Sequence, residues 1–388
     1  MGIKSLSTIL NQYVKNGMKN ITLDTFRGKV IAIDTSIYLY KFTYNTSDYL
    51  EGFTRQILRL LKNGITPLFV FDGKPPDEKR EILNDRKEKK EILVKKKKMI
   101  EEFMKERTTP ADGNESLKEF MEELKNKTDE HLKNEIAKIK RKIIYITHND
   151  IVKTKKLFDL FGVPHVAANG EAEAFCAVLS KNGLVDGCIT EDTDYLASGG
   201  HNFIRNFNSN NNNISLYKIR DILDDLEVTY EEFIDICILC GCDYTTKITG
   251  IGAIKAYKFI KKYGTIEGVI NGLATNSSYK VQDNFDYKKA RSLLKCEDLF
   301  NLEGVSRSNF KIKNTDEQAL IDYLKENSEK LKVKSYNEIA LKLGKYKQSI
   351  LTPSTSIESS GKQRKIGDFF KKKYFITEEI DISGGIKK

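Results

Sequence analysis

Long apolar runs are absent from the 388-residue chain, and none approaches the length that spans a bilayer. No secretory signal is present. The first residues resemble a myristoylation site only until Leu6, which stands where Ser or Thr is required. These absences argue against a membrane-spanning, lipid-anchored or secreted protein. We therefore expect an intracellular protein with no membrane partner.

Histidine and cysteine are scarce, with four and six residues. No histidine adjoins a plausible nucleophile in the sequence, so hydrolysis by a Ser–His or Cys–His pair has no support. Six cysteines do not make a disulfide framework in a chain of this length. Cys237, Cys240 and Cys242 suggest zinc, but neither a second Cys-x-x-Cys nor a histidine pair at finger spacing accompanies them. Their apolar, helix-periodic surroundings predict buried core thiols instead.

Positive charge is in excess, with 65 Lys and Arg against 55 Asp and Glu and a pI near 9.0. This balance favours a polyanionic partner, and nucleic acid above a membrane surface. Residues 74–98 hold eleven basic and six acidic side chains, and a second charged helical segment runs to about Lys142 after a breaker near Pro110. The pair is either a solvated helical hairpin or a basic clamp on a nucleic-acid backbone. Its position directly after Asp72 favours the clamp.

Two β-branched, apolar runs each end in an acid, at residues 29–34 and 66–72. A helix-periodic segment at residues 53–63 separates them. Continuous apolar strands joined by helices predict an α/β fold with a parallel sheet covered on both faces. In such sheets, ligands bind in the crevice at the carboxyl ends of the strands. We therefore expect Asp34 and Asp72 to face a common site.

The stretch at residues 163–194 adds four acids to the same predicted crevice. Glu171 and Glu173 open an apolar helix, and Asp192 and Asp194 follow a short apolar strand. Converging carboxylates would repel one another unless cations neutralised them. Hard oxygen ligands suit magnesium or manganese rather than zinc. The alternative is that each acid only caps the helix that follows it.

A further acid and a glycine-rich turn follow a buried-type helix at residues 230–240. Asp243 is a fifth candidate aspartate in the crevice, and Gly250 and Gly252 flank one residue before a helix start. Two glycines would let backbone amides approach a phosphate closely, and Lys255 would add charge. A simple joint between two helices is the alternative.

The C-terminal residues combine a linker with an aromatic motif. Residues 352–361 are rich in Ser and Thr and poor in apolar side chains, which predicts a flexible linker. Adjacent aromatics in such a tail predict a partner pocket that receives them. The three apolar anchors are Ile366, Phe369 and Phe370. The lysines at 371–373 are either a nuclear import patch or a charged tail.

These motifs, in this order, resemble the flap endonuclease group of the XPG family of structure-specific 5′ nucleases, over nearly the whole chain. The matching motifs occupy residues 1–6, 32–40, 70–76, 170–174, 190–194, 241–244, 249–252 and 363–370. The resemblance implies a PIN-like α/β fold with a mostly parallel central sheet flanked by helices. It also implies a helical arch insertion and a helix–two-turn–helix DNA-binding motif.

The resemblance also assigns domains. An N-terminal nuclease region would span residues 1–107 with the first part of the arch, and the rest of the arch 108–142. An internal nuclease region would span 143–260, with the helix–two-turn–helix near 241–260. A C-terminal helical part at 261–350 and a tail at 351–388 would follow. The interval from Asp34 to Asp72 is shorter than the family's usual one, and that from Asp72 to Glu171 is longer.

The resemblance implies a two-metal site for Mg²⁺, with Mn²⁺ as a substitute. The metal-binding acids would be Asp34, Asp72, Glu171, Glu173, Asp192, Asp194 and Asp243. The first three would lie nearer one cation and the 192/194 pair nearer the other, with Glu173 between them and Asp243 acting through water. Two cations about 4 Å apart would activate water and stabilise the leaving oxygen. Asp34, Asp72, Glu171 and Asp192 would carry the catalysis together with Lys79 and Arg86, which would stabilise the transition state.

The resemblance further implies contacts with DNA and with a sliding clamp. The DNA-binding residues would be Gly2, Tyr40, Lys79, Arg86, Gly250, Gly252 and Lys255. Tyr40 would stack on the terminal base of the reacting strand, and the glycine turn would hold the uncut strand, with K⁺ as a candidate ion there. A PCNA-like sliding clamp would bind Gln363, Ile366, Phe369 and Phe370.

The leading hypothesis is a metal-dependent 5′ flap endonuclease with 5′–3′ exonuclease activity, working as a monomer in Okazaki-fragment maturation and repair. Alternatives in the same family are a junction-resolving nuclease and a double-strand 5′ exonuclease. A non-catalytic scaffold for DNA and clamp, and an RNA-directed nuclease, are further alternatives. We expect the protein in the nucleus, or at a cytoplasmic replication site if a large DNA virus encodes it.

Overall fold

The structure is a computed structural model that describes residues 2–46, 48–106, 115–124, 127–207, 212–275, 277–296, 299–331 and 333–351. Its strands form one seven-stranded sheet. The strands are β1 Met18–Thr22, β2 Val30–Asp34, β3 Thr66–Phe71, β4 His165–Ala167, β5 Gly187–Ile189, β6 Phe203–Arg205 and β7 Asn213–Tyr217. In space their order is β1-β7-β6-β5-β2-β3-β4. The pairs among β6, β5, β2, β3 and β4 are parallel, whereas β7 pairs antiparallel with β6 and β1.

Helices cover both faces of the sheet. The first eight are α1 Leu6–Tyr13, α2 Thr35–Thr46, α3 Tyr49–Lys62, α4 Arg80–Glu106, α5 Glu115–Leu124, α6 Asp129–Lys142, α7 His148–Phe161 and α8 Ala172–Lys181. The others are α9 Asp194–Ala197, α10 Ile219–Leu226, α11 Tyr230–Cys240, α12 Ala253–Tyr263, α13 Ile266–Leu273, α14 Tyr287–Lys295, α15 Glu317–Asn327 and α16 Val333–Leu351. The predicted α/β class with a mostly parallel central sheet is confirmed. Among the described helices, none has both the length and the apolar composition that crossing a membrane requires.

The apolar strands divide the interior into two cores. Val30 and Ala32 of β2 face one core, and Ile31 and Ile33 face the other, because side chains alternate along a strand. The first core contains buried residues of α1, α8, α10, α11 and α12. The second contains those of α2, α3, α7, α15 and α16. Burial on both faces explains why β2 and β3 have almost no polar residue before their terminal acids.

The cysteines are core residues, as the sequence predicts. All six are buried with free thiols. Cys237 and Cys240 lie on α11, whose residues from Phe233 to the helix end are all buried. Among the described residues, the ligating side chains that lie close enough together to hold a metal ion include none of these cysteines. Burial raises the pKa of Cys240 to about 12, as expected for a thiol in an apolar core. Core packing is therefore the interpretation that the structure supports.

The charged segment after Asp72 forms a helical hairpin with its own small core. The long helix α4 packs against α6. The buried apolar side chains between the helices are Met99, Ile100, Phe103, Met121, Leu132 and Ile139. The second segment, predicted as one helix, is two, because Thr128 accepts a hydrogen bond from the His131 amide and begins a new helix there. The breaker at Pro110 lies outside the described residues, and the proposed domain boundaries stay predictions.

A buried carboxylate ties together the helices around the glycine turn. Asp235 of α11 is buried and receives two hydrogen bonds from the guanidinium of Arg291 on α14, at 2.8 and 2.9 Å. The same guanidinium contacts Glu267 of α13 at 3.2 Å, and the Ile266 amide donates to Asp235 at 3.0 Å. One arginine therefore links α11, α13 and α14.

We expect Arg291→Met to lower the free energy of unfolding by about 2–3 kcal/mol, because Asp235 would stay buried with a single amide donor. Urea unfolding of the full chain measures the change. Lys325→Met is the matched control, since its ion pair with Asp322 is exposed and should leave stability unchanged. Equal stability of Arg291→Met and wild type would contradict the assignment.

Candidate active site

The sheet brings the predicted acids to one edge. Asp34 is the last residue of β2, and Asp72 follows β3 directly. Asp192 and Asp194 come within five residues after the end of β5. Since β2, β3 and β5 are parallel, their carboxyl ends meet at the same place. Glu171 is the N-cap of α8, which lies against β2, β3 and β5. The last acid, at 243, follows the C-terminal end of α11.

Most of these carboxylates are shielded from water. The five buried acids are Asp34, Glu173, Asp192, Asp194 and Asp243. Burial raises the pKa of Asp34 to about 8, and repulsion from Asp72 adds to the effect. The pKa values of Glu173 and Asp194 also lie well above their usual range. Burial is the larger cause, and repulsion from a neighbouring carboxylate is the second. Such a cluster is unfavourable at neutral pH unless positive charge accompanies it.

The cluster has the donors that a hard divalent cation requires. Glu173, Asp192 and Asp194 each place a carboxylate oxygen within 4.8 Å of the others. Both carboxylate oxygens of Asp194 are buried and receive no hydrogen bond within the described part of the chain. Unsatisfied buried carboxylate oxygens are costly unless a cation pairs with them. An all-oxygen donor set of this kind fits Mg²⁺ or Mn²⁺.

A buried lysine supplies positive charge within the cluster. The Lys79 ammonium donates a hydrogen bond to Glu171 and lies 3.9 Å from Glu173 and 3.7 Å from Asp243. Burial alone would lower the pKa of Lys79, but attraction to Glu171 and Glu173 outweighs it and raises the pKa. The lysine therefore stays charged.

Arg86 reaches the same acids from two turns further along the hairpin. Its guanidinium donates to Asp243 at 2.7 Å, and its side chain is 46% exposed. Seven residues separate it from Lys79, so both basic groups project from one side of α4 and the turn before it. The sequence-predicted basic pair thus borders the acids, with one member buried and the other open to solvent.

Six of the seven acids, all except Asp194, line a cavity of about 270 Å³ together with the basic pair. Tyr40 and Leu83 also contribute to its wall, and Tyr40 is 44% exposed. Gly2 lies beside Asp192 with φ +86°, and a Cβ there would come within 2.1 Å of an Asp192 oxygen. Only glycine fits that position, which places its backbone against the acids.

The predicted glycine turn forms a separate feature. Gly250 has φ +86°, and Gly252 is the N-cap of α12. The Lys255 ammonium donates to the Gly250 carbonyl at 3.0 Å, so this lysine braces the turn as well as adding charge. None of the three lines the cavity beside the acids. The predicted clamp residues Gln363, Ile366, Phe369 and Phe370 lie outside the described residues.

One contact among the acids was not predicted from the sequence. The buried Tyr244 donates its hydroxyl to Glu171, and its ring centroid lies 5.7 Å from the Lys79 ammonium. Burial, then repulsion from Glu171, raises the pKa of this phenol well above its usual range, so the phenol remains a donor. The only sequence signal was its position directly after Asp243. Glu171 is therefore held from two sides.

We expect Tyr244→Phe to weaken divalent-cation binding by about 10-fold, because Glu171 would lose the neutral donor that orients its carboxylate without competing with a cation for it. Calorimetric titration with Mn²⁺ measures the affinity without any substrate. Tyr323→Phe is the control, since it removes a hydroxyl that donates to the backbone of Lys153. An unchanged affinity in Tyr244→Phe would contradict the positioning role.

Comparison with known proteins identifies relatives along the whole chain. Family models for the XPG N-terminal domain and the XPG I-region match residues 1–93 and 162–243. Flap endonuclease 1 of Entamoeba histolytica is 31% identical over 408 residues, which cover 100% of this chain and 96% of that protein. Flap endonuclease 1 of Aedes aegypti is 33% identical over 388 residues, covering 96% and 91%.

Solved structures show the same fold. The catalytic core of Rad2 matches with a TM-score of 0.62 at 21% identity, over 88% of this chain and 99% of that one. Flap endonuclease-1 from Methanococcus jannaschii matches with a TM-score of 0.59 at 22% identity, over 87% and 98%. The sequence matches and the shared fold confirm the predicted resemblance. The chain belongs to the flap endonuclease group of the XPG family.

Proposed function

We propose that the protein is a structure-specific 5′ flap endonuclease with 5′–3′ exonuclease activity that hydrolyses DNA in replication and repair. The observation that carries the proposal is the convergence of seven acids at one sheet edge, three of which contact the buried Lys79 at the start of a basic helical hairpin. A non-catalytic scaffold has no use for such a cluster, because unneutralised carboxylates weaken binding to a polyanion. Relatives named for flap cleavage match this chain over most of its length.

Two Mg²⁺ ions, with Mn²⁺ as a substitute, are the proposed cofactors. Asp34, Asp72 and Glu171 would lie nearer one ion and Asp192 and Asp194 nearer the other, with Glu173 between them and Asp243 acting through water. When bound, divalent cations supply Lewis-acid chemistry and lower the pKa of water. A fold neighbour, the junction-resolving enzyme GEN1, has been solved with product DNA, Mg²⁺ and Mn²⁺ ions (TM-score 0.57).

The chain's own basic groups would bind the scissile phosphate. Lys79 is already charged and fixed among the acids, and Arg86 is exposed at the cavity wall, so both can contact phosphate oxygens. Preorganised cations stabilise the charge that develops in the transition state. Tyr40, exposed at the cavity, would stack on the terminal base of the reacting strand, which is tolerant of sequence.

Contacts away from the cavity would select the junction. The glycine turn, with Gly250, Gly252 and Lys255, would present backbone amides and charge to the uncut strand, and we propose K⁺ as its ion. Residues 363–370 would bind a PCNA-like clamp. We further propose that the protein works as a monomer. Its location in the nucleus, or at a cytoplasmic viral replication site, also stays a prediction.

A substrate panel tests the proposal. Labelled double flaps with DNA or RNA 5′ strands, a four-way junction and a blunt duplex would be incubated separately with the full-length protein and Mg²⁺. We expect the highest kcat/KM on the DNA double flap, with one incision near the flap base. Preference for the four-way junction would instead indicate a junction-resolving nuclease. Preference for the duplex end would indicate a double-strand 5′ exonuclease, and preference for RNA an RNA-directed nuclease. Binding without incision in Mg²⁺ or Mn²⁺ would favour the scaffold.

A further inference from the structure

An exposed aromatic–cation cluster adjoins the catalytic cavity. Its members are Tyr40 on α2, Lys90 on α4 and Tyr145 just after α6. The Lys90 ammonium lies 5.5 Å from the ring centroid of Tyr40 and 5.1 Å from that of Tyr145. One lysine side chain thus stands between two tyrosine rings. Since Tyr40 lines the cavity, the cluster extends from the cavity towards the helical hairpin.

The two tyrosine rings of the cluster are open to solvent, although proteins usually bury most of an aromatic ring. The side chain of Tyr145 is 57% exposed and that of Tyr40 is 44% exposed. Lys90 donates to the Ile144 carbonyl at 3.0 Å, which fixes the segment that carries Tyr145. Among the described residues, Lys90 makes no ion pair with a carboxylate. The exposed part of each ring, away from Lys90, and a cation without an acidic partner are therefore available to a ligand.

Stacked rings with interspersed positive charge are the features that bind single-stranded nucleic acid. Nucleobases stack on the rings, and the cation contacts the phosphate that joins them. A duplex would not fit this description, because its bases are already stacked on one another. The neighbouring cavity identifies the strand, since the reacting 5′ strand is the one that would reach Tyr40.

We propose that Tyr145 is a second stacking platform for the single-stranded 5′ flap, and that Lys90 contacts the phosphate between the base on Tyr40 and the base on Tyr145. This inference rests on the proposed flap endonuclease function and adds a binding subsite to it. Tyr145 does not contact the acids, so it contributes to holding the flap and not to the hydrolysis step. Sequence preference at this subsite should be weak, because every base has a ring face.

Equilibrium binding to two junctions tests the subsite. Full-length protein in Ca²⁺ would bind a double flap with a short 5′ flap and the same junction without that flap. We expect Tyr145→Ala to weaken binding to the flapped junction about five-fold or more and to leave the flapless junction unchanged. Tyr145→Phe keeps the ring and should bind like wild type. Val152→Ala is the control for loss of an exposed apolar side chain nearby in the sequence.

A fluorescent base analogue placed at successive flap positions gives an independent readout. At one flap position beyond the base on Tyr40, the fluorescence of the analogue should be quenched by wild type and by Tyr145→Phe but not by Tyr145→Ala. Equal losses of Tyr145→Ala on both junctions, or no loss on either, would overturn the inference. If wild type incises the flap while Tyr145→Ala binds it normally, only this inference is wrong. If wild type neither binds nor incises the flap, the proposed function fails with it.

Discussion

Asp192→Asn should lower the single-turnover rate of flap incision in Mg²⁺ by about 10³-fold or more. Asp192 is buried, and one of its oxygens lies within 4.8 Å of oxygens from Glu173 and Asp194. Asparagine keeps the shape of the side chain but removes a charge that a cation in this cluster requires. DNA binding should persist or become tighter, because one negative charge near the phosphate is lost.

Glu191→Gln is the matched control, since it makes the same chemical change at the preceding residue. Glu191 contacts Lys41 and Arg205 instead of the acid cluster, each at 3.3 Å. Its loss should leave the incision rate within a few-fold of wild type. A small effect of Asp192→Asn, or an equally large effect of Glu191→Gln, would show that the acids do not act as proposed.

Lys79→Met should lower the single-turnover rate by about 10²- to 10³-fold. Methionine preserves the apolar stem in its buried position and removes the ammonium that lies among Glu171, Glu173 and Asp243. Saturating enzyme separates this loss from any change in DNA affinity. Arg80→Met is the control, because Arg80 is the next residue, is exposed and pairs only with exposed Asp77 among the described residues.

Lys79→Met should lower the incision rate without weakening the binding of divalent cations. The Lys79 ammonium competes with divalent cations for the carboxylates, so its removal should leave Mn²⁺ affinity equal to wild type or higher. Loss of rate with retained cation binding would assign Lys79 to phosphate and transition-state contacts. A rate loss that high Mn²⁺ restores would contradict that role and make Lys79 a group that organises the metal site.

The sheet and the acids were predictable from sequence because local patterns encode them. Strands β2 and β3 are continuous apolar runs that end in Asp34 and Asp72, and buried parallel strands have that composition. The same logic placed Asp192 and Asp194 after β5. Spacing alone could not show how far the cluster is buried, or that Asp194 lacks hydrogen-bond partners.

Contacts between distant segments were not predictable in this way. The hydroxyl of Tyr244 meets Glu171 only because the segment that follows α11 lies beside the N-cap of α8. Lys90 lies between Tyr40 and Tyr145 because α4 passes between α2 and the segment after α6. The division of the second charged segment into α5 and α6 depends on a cap at Thr128, one Thr among many polar residues there.

The most direct test of the central claim is incision of a 5′-labelled double-flap DNA by the wild-type protein, measured across a Mg²⁺ titration that starts in EDTA. The acid cluster predicts no product in EDTA and one incision near the flap base that appears as Mg²⁺ is added. Incision that persists in EDTA, or tight flap binding without incision at any Mg²⁺ or Mn²⁺ concentration, would contradict the account.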